Sequence, residues 1–491
     1  MKRTIAIISL FLFQNLAAQD SHEWNLFSGN EASLLGAASI AGVDDFSTAF
    51  YNPGYLAYVN KNFSLNGNLF SAQEIKAENA AGENNNIYTS LFNIIPNMTA
   101  GPLPFQLDKK GSFGYIIFEK QYAANTYSYL KQEYADLIHE FDFGENSPTF
   151  FEGNEFYSGE FTYEKSLTEY WAGISWGRSS KHWGVGFSLF GALRSQKNSF
   201  DLYSLAADMQ NDIAVTTNFK YNLDYFNVRL ILKTGIVYND DDFRFGLTFT
   251  TPSVHIYGNG NIGGNISSTG IFYRDENNNV YGPFDFIATN REQNLPTYYR
   301  SPSSAAFGLV KKFGTTEIGI GGEYFASLPL DVVISPEDAR FVIINPSDED
   351  IEANGKLIIL TTHQVSREIF NFGFSIKQYL SKKFTAYFNF HTDFSTQKKN
   401  DDKFIYVNNE IWDIYHFTTG VIYRTKKTLI GTSVQYSFSR DKNLTSFTNL
   451  NSSPLENNEM FLINNEPTSM DIIYNRILIS VGITYFIEPL F

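Results

Sequence analysis

Residues 183–189 read Trp183-Gly184-Val185-Gly186-Phe187-Ser188-Leu189, a strict alternation of large apolar with small residues. A period of two is the signature of a strand, because successive side chains leave a pleated backbone on opposite faces. One face here is wholly apolar and the other is glycine and serine, so the strand meets apolar surroundings on one side only. The pattern recurs in Phe243, Phe245, Leu247 and Phe249 around Arg244, Gly246 and Thr248, and again in Ile477, Ile479, Val481, Ile483 and Tyr485. From about residue 60 onward such segments, each about ten residues long, follow one another with no interdomain linker, which suits a barrel with lipid outside. A series of soluble sandwich domains would show boundaries.

The connections fall into two classes. Short ones lie near Ser179-Ser180, Asp240-Asp241, Gly314-Thr315, Ser381-Lys382 and Lys426-Lys427. Long polar ones cover roughly 71–110, 132–157, 197–218, 257–302, 327–365, 395–411 and 441–470. Short turns at one end and long loops at the other are the asymmetry of outer-membrane barrels, and seven long loops predict about fourteen antiparallel strands. The least marked hairpin is expected around Glu119 to Tyr129. The chain ends on Tyr485-Phe486-Ile487-Glu488-Pro489-Leu490-Phe491, an aromatic C-terminus of the sort read by barrel-assembly machinery, although Pro489 departs from the usual pattern.

Composition agrees. Of 491 residues 46 are Phe and 30 Tyr, while charged residues make up only 18%, the bias expected of aromatic girdles and an apolar band. There is no cysteine, so a closed ladder of backbone hydrogen bonds has to hold the fold without disulfides. The N-terminus carries Lys2 and Arg3, an apolar run from Ile5 to Phe13, then Ala17-Ala18, the order of a cleaved secretory signal over residues 1–18. No later apolar run reaches the roughly 20 residues of a membrane helix. The net charge of −15 argues against nucleic acid as a partner.

Residues 19–59 do not alternate. They hold Gly36-Ala37-Ala38-Ser39-Ile40-Ala41-Gly42, then Asp44-Asp45, then Thr48-Ala49-Phe50-Tyr51-Asn52-Pro53-Gly54-Tyr55-Leu56-Ala57. This segment resembles the N-terminal hatch of the FadL family of outer-membrane transporters for long-chain fatty acids and hydrocarbons, which carries Asn-Pro-Ala followed by Gly-Leu-Ala just before the first strand. Asn52, Pro53, Leu56 and Ala57 match it, while Gly54 and Tyr55 stand where the family has Ala and Gly. Phe245-Gly246-Leu247-Thr248-Phe249-Thr250-Thr251-Pro252 and Pro302-Ser303-Ser304-Ala305-Ala306-Phe307-Gly308-Leu309 also look like the family. The resemblance implies a fourteen-stranded barrel over residues 60–491 with residues 19–59 as a hatch in its lumen. It further implies passive uptake of hydrophobic compounds, with ligand captured among the outer loops and released sideways through the wall. Hydrophobic small molecules and outer-membrane lipid are the partners implied.

Leu130, Tyr134, Leu137, Ile138 and Phe141 recur at helical spacing between Tyr129 and Asp142. An amphipathic helix there would form one wall of an entry groove, or pack onto its own loop. Catalytic and cofactor motifs are matched only by letters. Gly173-Ile174-Ser175-Trp176-Gly177 leads into a turn and another strand, not the helix of a nucleophile elbow. Gly258-Asn259-Gly260-Asn261-Ile262-Gly263 opens no helix. The seven histidines lack paired ligand spacing, and Asp240-Asp241-Asp242 reads as a solvated turn. No enzyme, cofactor or metal is expected. A competing reading is a non-transport scaffold similar to the PorV-type barrel of a secretion apparatus. A porin for polar solutes would need charged residues facing inward on many strands, whereas inward positions look small or hydroxylated.

Overall fold

The computed structural model describes residues 21–104, 111–135, 155–209, 213–274, 280–336, 342–343, 360–397, 405–406, 412–451 and 468–488. The proposed signal sequence lies outside them. The strands are β1 (Asn62–Glu78), β2 (Ile87–Pro102), β3 (Gly111–Ala135), β4 (Glu155–Ser180), β5 (Trp183–Asp208), β6 (Ile213–Asn239) and β7 (Phe243–Thr250). They continue as β8 (Val254–Arg274), β9 (Val280–Pro296), β10 (Ser304–Phe313), β11 (Thr316–Phe325), β12 (Leu328–Ile334), β13 (Val342–Ile343) and β14 (Thr362–Ser366). The last are β15 (Ile369–Tyr379), β16 (Phe384–Asp393), β17 (Ile405–Tyr406), β18 (Ile414–Arg424), β19 (Thr428–Thr445) and β20 (Ser469–Phe486).

Fourteen of these close an antiparallel barrel in the order β1-β2-β3-β4-β5-β6-β7-β10-β11-β15-β16-β18-β19-β20. The ring shuts where β20 pairs with β1, from Asn62 opposite Phe486 to Glu78 opposite Asp471. Closure leaves no sheet edge in lipid, as a bilayer demands. The β8–β9 hairpin continues the wall upward: the lower part of β6 pairs with β7 and its upper part with β8. Trp183, Val185, Phe187, Leu189 and Leu193 of β5 are exposed outward. Ten residues at about 3.3 Å each, tilted by about 40°, make a belt of about 25 Å, the thickness of a barrel's apolar band.

The strand count agrees with the sequence reading, but one hairpin is misplaced in it. Residues 111–135 are one unbroken strand through Glu119 to Tyr129, and the remaining short connection lies between β2 and β3 instead. Polar stretches expected to be loops are also strand: β5 and β6 stay paired up to Asp208 opposite Ile213. Above the belt the alternation persists with its polarity inverted. There Lys197, Ser199 and Asp201 face out, while Phe200 and Leu202 are buried inside with Phe161, Tyr163, Phe219 and Tyr221. Water on the outside reverses which face has to be apolar.

The helix expected from Tyr129 is absent as far as Ala135. Leu130 and Tyr134 are exposed β3 residues facing Glu160 and Phe156 of β4. A spacing of four is both a helical repeat and an even number, so it keeps two residues on one strand face as well. Leu137, Ile138 and Phe141 lie outside the described residues.

Residues 21–59 fill the lower lumen as short helical pieces, Ala32–Leu35, Gly36–Ala41, Thr48–Tyr51 and Pro53–Tyr58. The small inward residues of the wall have their explanation here. A Cβ on Gly177 would stand 2.5 Å from the Pro53 carbonyl, and one on Gly308 2.5 Å from the Ala41 nitrogen. Gly184, Gly186, Gly235, Gly246 and Gly431 have the same close approach to this segment. Nearly every side chain from Ser21 to Leu56 is buried.

Candidate functional site

Asn52 joins three parts of the molecule. Its Oδ1 accepts from the Gly54 N–H at 3.0 Å, and its Nδ2 donates to the Ile40 carbonyl at 2.9 Å and to the Ile236 carbonyl of β6 at 3.1 Å. Pro53 takes the first helical position, where its missing N–H costs nothing. Gly54 lies against the Gly235 and Gly184 carbonyls, at 2.8 and 3.0 Å from where a Cβ would be. An alanine there would need the wall to move, which accounts for glycine in the middle of the motif. Leu56 is fully buried and Ala57 half-buried, both against Gly177.

Charge fixes the same segment. Burial opposes ionisation of Glu31, yet the Lys377 ammonium at 2.7 Å holds its carboxyl at about 2. Asp45 accepts from the Ser47 backbone N–H at 2.8 Å and from its hydroxyl, but burial, together with the nearby Glu31 charge, raises it to about 6. At the start of the segment, Trp24 donates its indole N–H to Glu323 at 2.8 Å and its backbone N–H to Asp393 at 2.9 Å.

Above the segment lies a narrow cavity lined by Trp24, Phe27, Phe50, Tyr51, Trp171, Ile231, Tyr299 and Phe325. Its apolar lining is interrupted by Lys120, Lys233, Glu169 and Glu323. Lys120 is engaged by Glu23 at 3.1 Å. The Lys233 side chain is almost wholly buried, its ammonium stands over the Phe50 ring at 4.6 Å, and no described carboxylate forms an ion pair with it. Glu323 of the same cavity acts on this buried ammonium only at a distance, and a buried cation without a close partner is costly, so the group favours an anion supplied from outside.

One side of this cavity meets a break in the wall. β2 and β3 pair only from Met98 opposite Phe118 to Pro102 opposite Gly114. Beyond that point β2 stays with β1 up to Ile87 opposite Ala77, and β3 with β4 up to Ala135 opposite Glu155. The parting coincides with a bulge in β3, where Lys120 is extra between Glu119 and Gln121. It begins level with Tyr170 and Leu193, at the upper margin of the belt. Phe118, Phe50 and Trp171 cluster beside it, with ring centroids 4.5 to 6.0 Å apart. Farther up, Gln73 of β1 donates to Asn125 of β3 at 3.0 Å.

The stretches that match catalytic and cofactor motifs by letters lie within strands. Ser175 is a strand residue whose hydroxyl bonds to that of Ser188 at 2.7 Å, while His182 lies in the next turn beside the Asn239 carbonyl. Residues 258–263 run within β8. Among the described residues no cluster of three His, Asp or Glu is placed to hold a metal.

The closed fourteen-stranded barrel with its short N-terminal helical segment is a FadL-like fold. Solved structures agree: a Pseudomonas aeruginosa FadL homologue is 11% identical, with 97% of this chain and 100% of that one covered at a TM-score of 0.50. A deletion mutant of the TodX monoaromatic hydrocarbon channel is 10% identical, with 93% and 98% covered, also at 0.50. No family model and no curated protein matches the chain.

Sequence reasoning found Asn52, Pro53, Gly54, Leu56 and Ala57, which the structure brings together against the wall. It missed Lys233, Tyr299 and the bulge at Lys120. For Lys233 a signal existed: in Val228-Arg229-Leu230-Ile231-Leu232-Lys233-Thr234-Gly235 the two cations share the inward parity with Gly235.

Proposed function

We propose that this barrel sits in a bacterial outer membrane and admits hydrophobic compounds such as long-chain fatty acids by passive diffusion. The observation that carries this reading is the aromatic cavity abutting the parted β2–β3 wall. A ligand that enters such a cavity from the outer loops has an apolar route sideways into lipid without crossing the plugged lower lumen. Each buried CH₂ contributes about 0.8 kcal/mol, so the route runs downhill without an energy source. Lys233 gives the cavity a cation for the carboxylate of a fatty acid. The solved structures of like fold carry the names of a FadL homologue and a monoaromatic hydrocarbon channel, in keeping with ligands of this class.

In this reading residues 19–59 act as the hatch and Asn52 to Ala57 as its anchoring motif. Residues 1–18 are the export signal, and outer-membrane lipid and the assembly machinery are the partners of the folding chain. The test is uptake of labelled oleate by cells lacking their own transporter, with and without the barrel. Barrel-dependent uptake supports the proposal; correctly inserted barrel without uptake, and with a tightly co-purifying protein, favours a scaffold.

A further inference from the structure

Between β9 and β10 residues 297–303 run beside the start of β8, with Tyr298 and Arg300 exposed and Tyr299 turned inward against two arginines. The Arg194 guanidinium lies 3.9 Å from the centre of the ring and that of Arg229 4.7 Å from it. Both are held by one carboxylate, Glu169, at 3.0 and 2.6 Å. Arg194 also donates to Gln121 and Gln196 and to the Tyr225 hydroxyl, so both guanidiniums are fixed in place against the ring, whose face is electron-rich.

The position of the ring matters as much as its grip. Glu23, Tyr299 and Pro302 line both the luminal cavity and a small crevice formed with Leu328 of β12, Gln364 of β14 and Thr396. The backbone on either side of the ring is pinned. Tyr298 N–H donates to the Val333 carbonyl at 2.8 Å, the Thr297 hydroxyl to the Phe226 carbonyl at 3.1 Å, and Ser301 N–H to the Ser253 hydroxyl at 2.8 Å. A side-chain rotation about a fixed backbone is therefore the cheapest way to join the two spaces.

We propose that Tyr299 is the gate between the outer crevice and the luminal cavity, held shut by the Arg194–Arg229 clamp and lifted off it by an entering ligand. This rests on the transport reading in naming what enters. An anionic head arriving from outside meets the guanidinium faces that the ring covers, so ligand and ring compete for the same charge. A neutral solute gains nothing from that exchange and passes the gate more slowly.

Because the chain has no cysteine, one reporter thiol tests the gate directly. Thr250 lines the cavity, and Thr250→Cys is close to isosteric. Intact cells carrying the full barrel are treated with a small membrane-impermeant methanethiosulfonate, and the labelling rate is measured. Adding Tyr299→Ala raises the rate by about tenfold, the loss of two cation–π contacts, whereas Tyr299→Phe keeps the ring and raises it far less. Arg194→Lys keeps a positive charge beside Glu169 but gives up the planar face, and also speeds labelling. That second variant decides the matter where Tyr299→Ala fails to insert. Equal rates with and without the ring, in barrels shown to be folded, overturn the proposal. Oleate added to the open-gate variant slows labelling by occupying the cavity. Fast labelling that oleate leaves untouched counts against the transport reading while the gate stands.

Discussion

Replacing Lys233 by methionine separates recognition of a head group from burial of a tail. The side chain is 4% exposed and its ammonium faces the cavity over Phe50. Methionine keeps the length and loses the charge. A hydrogen bond to a charged group contributes about 1.5–3 kcal/mol, so palmitate binding weakens by about 10-fold to 100-fold. Methyl palmitate has the same tail and no anion, and its affinity stays within about twofold on this reasoning. Fold stability does not suffer, because the substitution removes a buried charge that has no carboxylate within ion-pair distance among the described residues. The assay is titration of purified barrel with each ligand, followed by the fluorescence of Trp24 and Trp171 in the cavity. Unchanged palmitate affinity, or an equal loss for acid and ester, refutes the assignment of Lys233 to the carboxylate.

Deleting Lys120 removes the β3 bulge while keeping Glu119 opposite Tyr170 and Gln121 opposite Glu169; oleate uptake falls by at least about tenfold with the amount of folded barrel unchanged, as befits a bulge that steers the wall apart. Gly235→Val drives a side chain into Asn52 and loosens the hatch by about 1–3 kcal/mol, seen as faster proteolysis within residues 36–57. Asn52→Ala leaves the Gly54 N–H and the Ile40 and Ile236 carbonyls without this partner and costs about 1–3 kcal/mol in the same assay. The pH dependence of hatch proteolysis has two limbs. Asp45, raised to about 6, stabilises docking below its ordinary value of 3.8 and loses that contribution as pH rises through about 6. Glu31, held at about 2, contributes above its ordinary 4.5 and loses it as pH falls toward 2. Protection is therefore greatest near pH 4, between the two ordinary values of 3.8 and 4.5, and declines from there to about pH 6, and Asp45→Asn flattens that alkaline limb; a profile flat in the native protein contradicts both assignments.

How much of this was legible depended on whether a residue's neighbours were set by the solvent or by the rest of the chain. Trp183, Val185, Phe187 and Leu189 face lipid, so their pattern alone disclosed strand, belt and barrel. Above the belt the solvent is water on the outside, and Lys197, Ser199 and Asp201 read as loop because nothing in the sequence marks where the medium changes. Parity survived that change when polarity did not: Phe200 and Leu202 occupy the same inward face as Gly184 and Gly186. Following parity through the polar stretch would have extended β5 and β6 correctly. Leu130 and Tyr134 were misread for a related reason, since a four-residue spacing satisfies both periods and only the ladder to β4 decides between them.

The inward glycines carry the larger lesson. Small residues facing a lumen suggest open space, and a spacious lumen suggests a water-filled pore. Here Gly184, Gly186 and Gly235 are small because the backbone around Pro53 and Gly54 occupies the space their side chains would need. The wall and the hatch are thus complementary surfaces far apart in the chain, 184 residues for the Asn52 to Ile236 hydrogen bond and 346 for Glu31 to Lys377. With the lower lumen closed in this way, a molecule reaching the aromatic cavity has two ways out: back past Tyr299, or sideways where β2 and β3 part. A cavity cation without a close carboxylate partner, a ring held above it and a bulge beside it then belong to one route, entering from the outer loops and turning toward lipid before it meets the hatch.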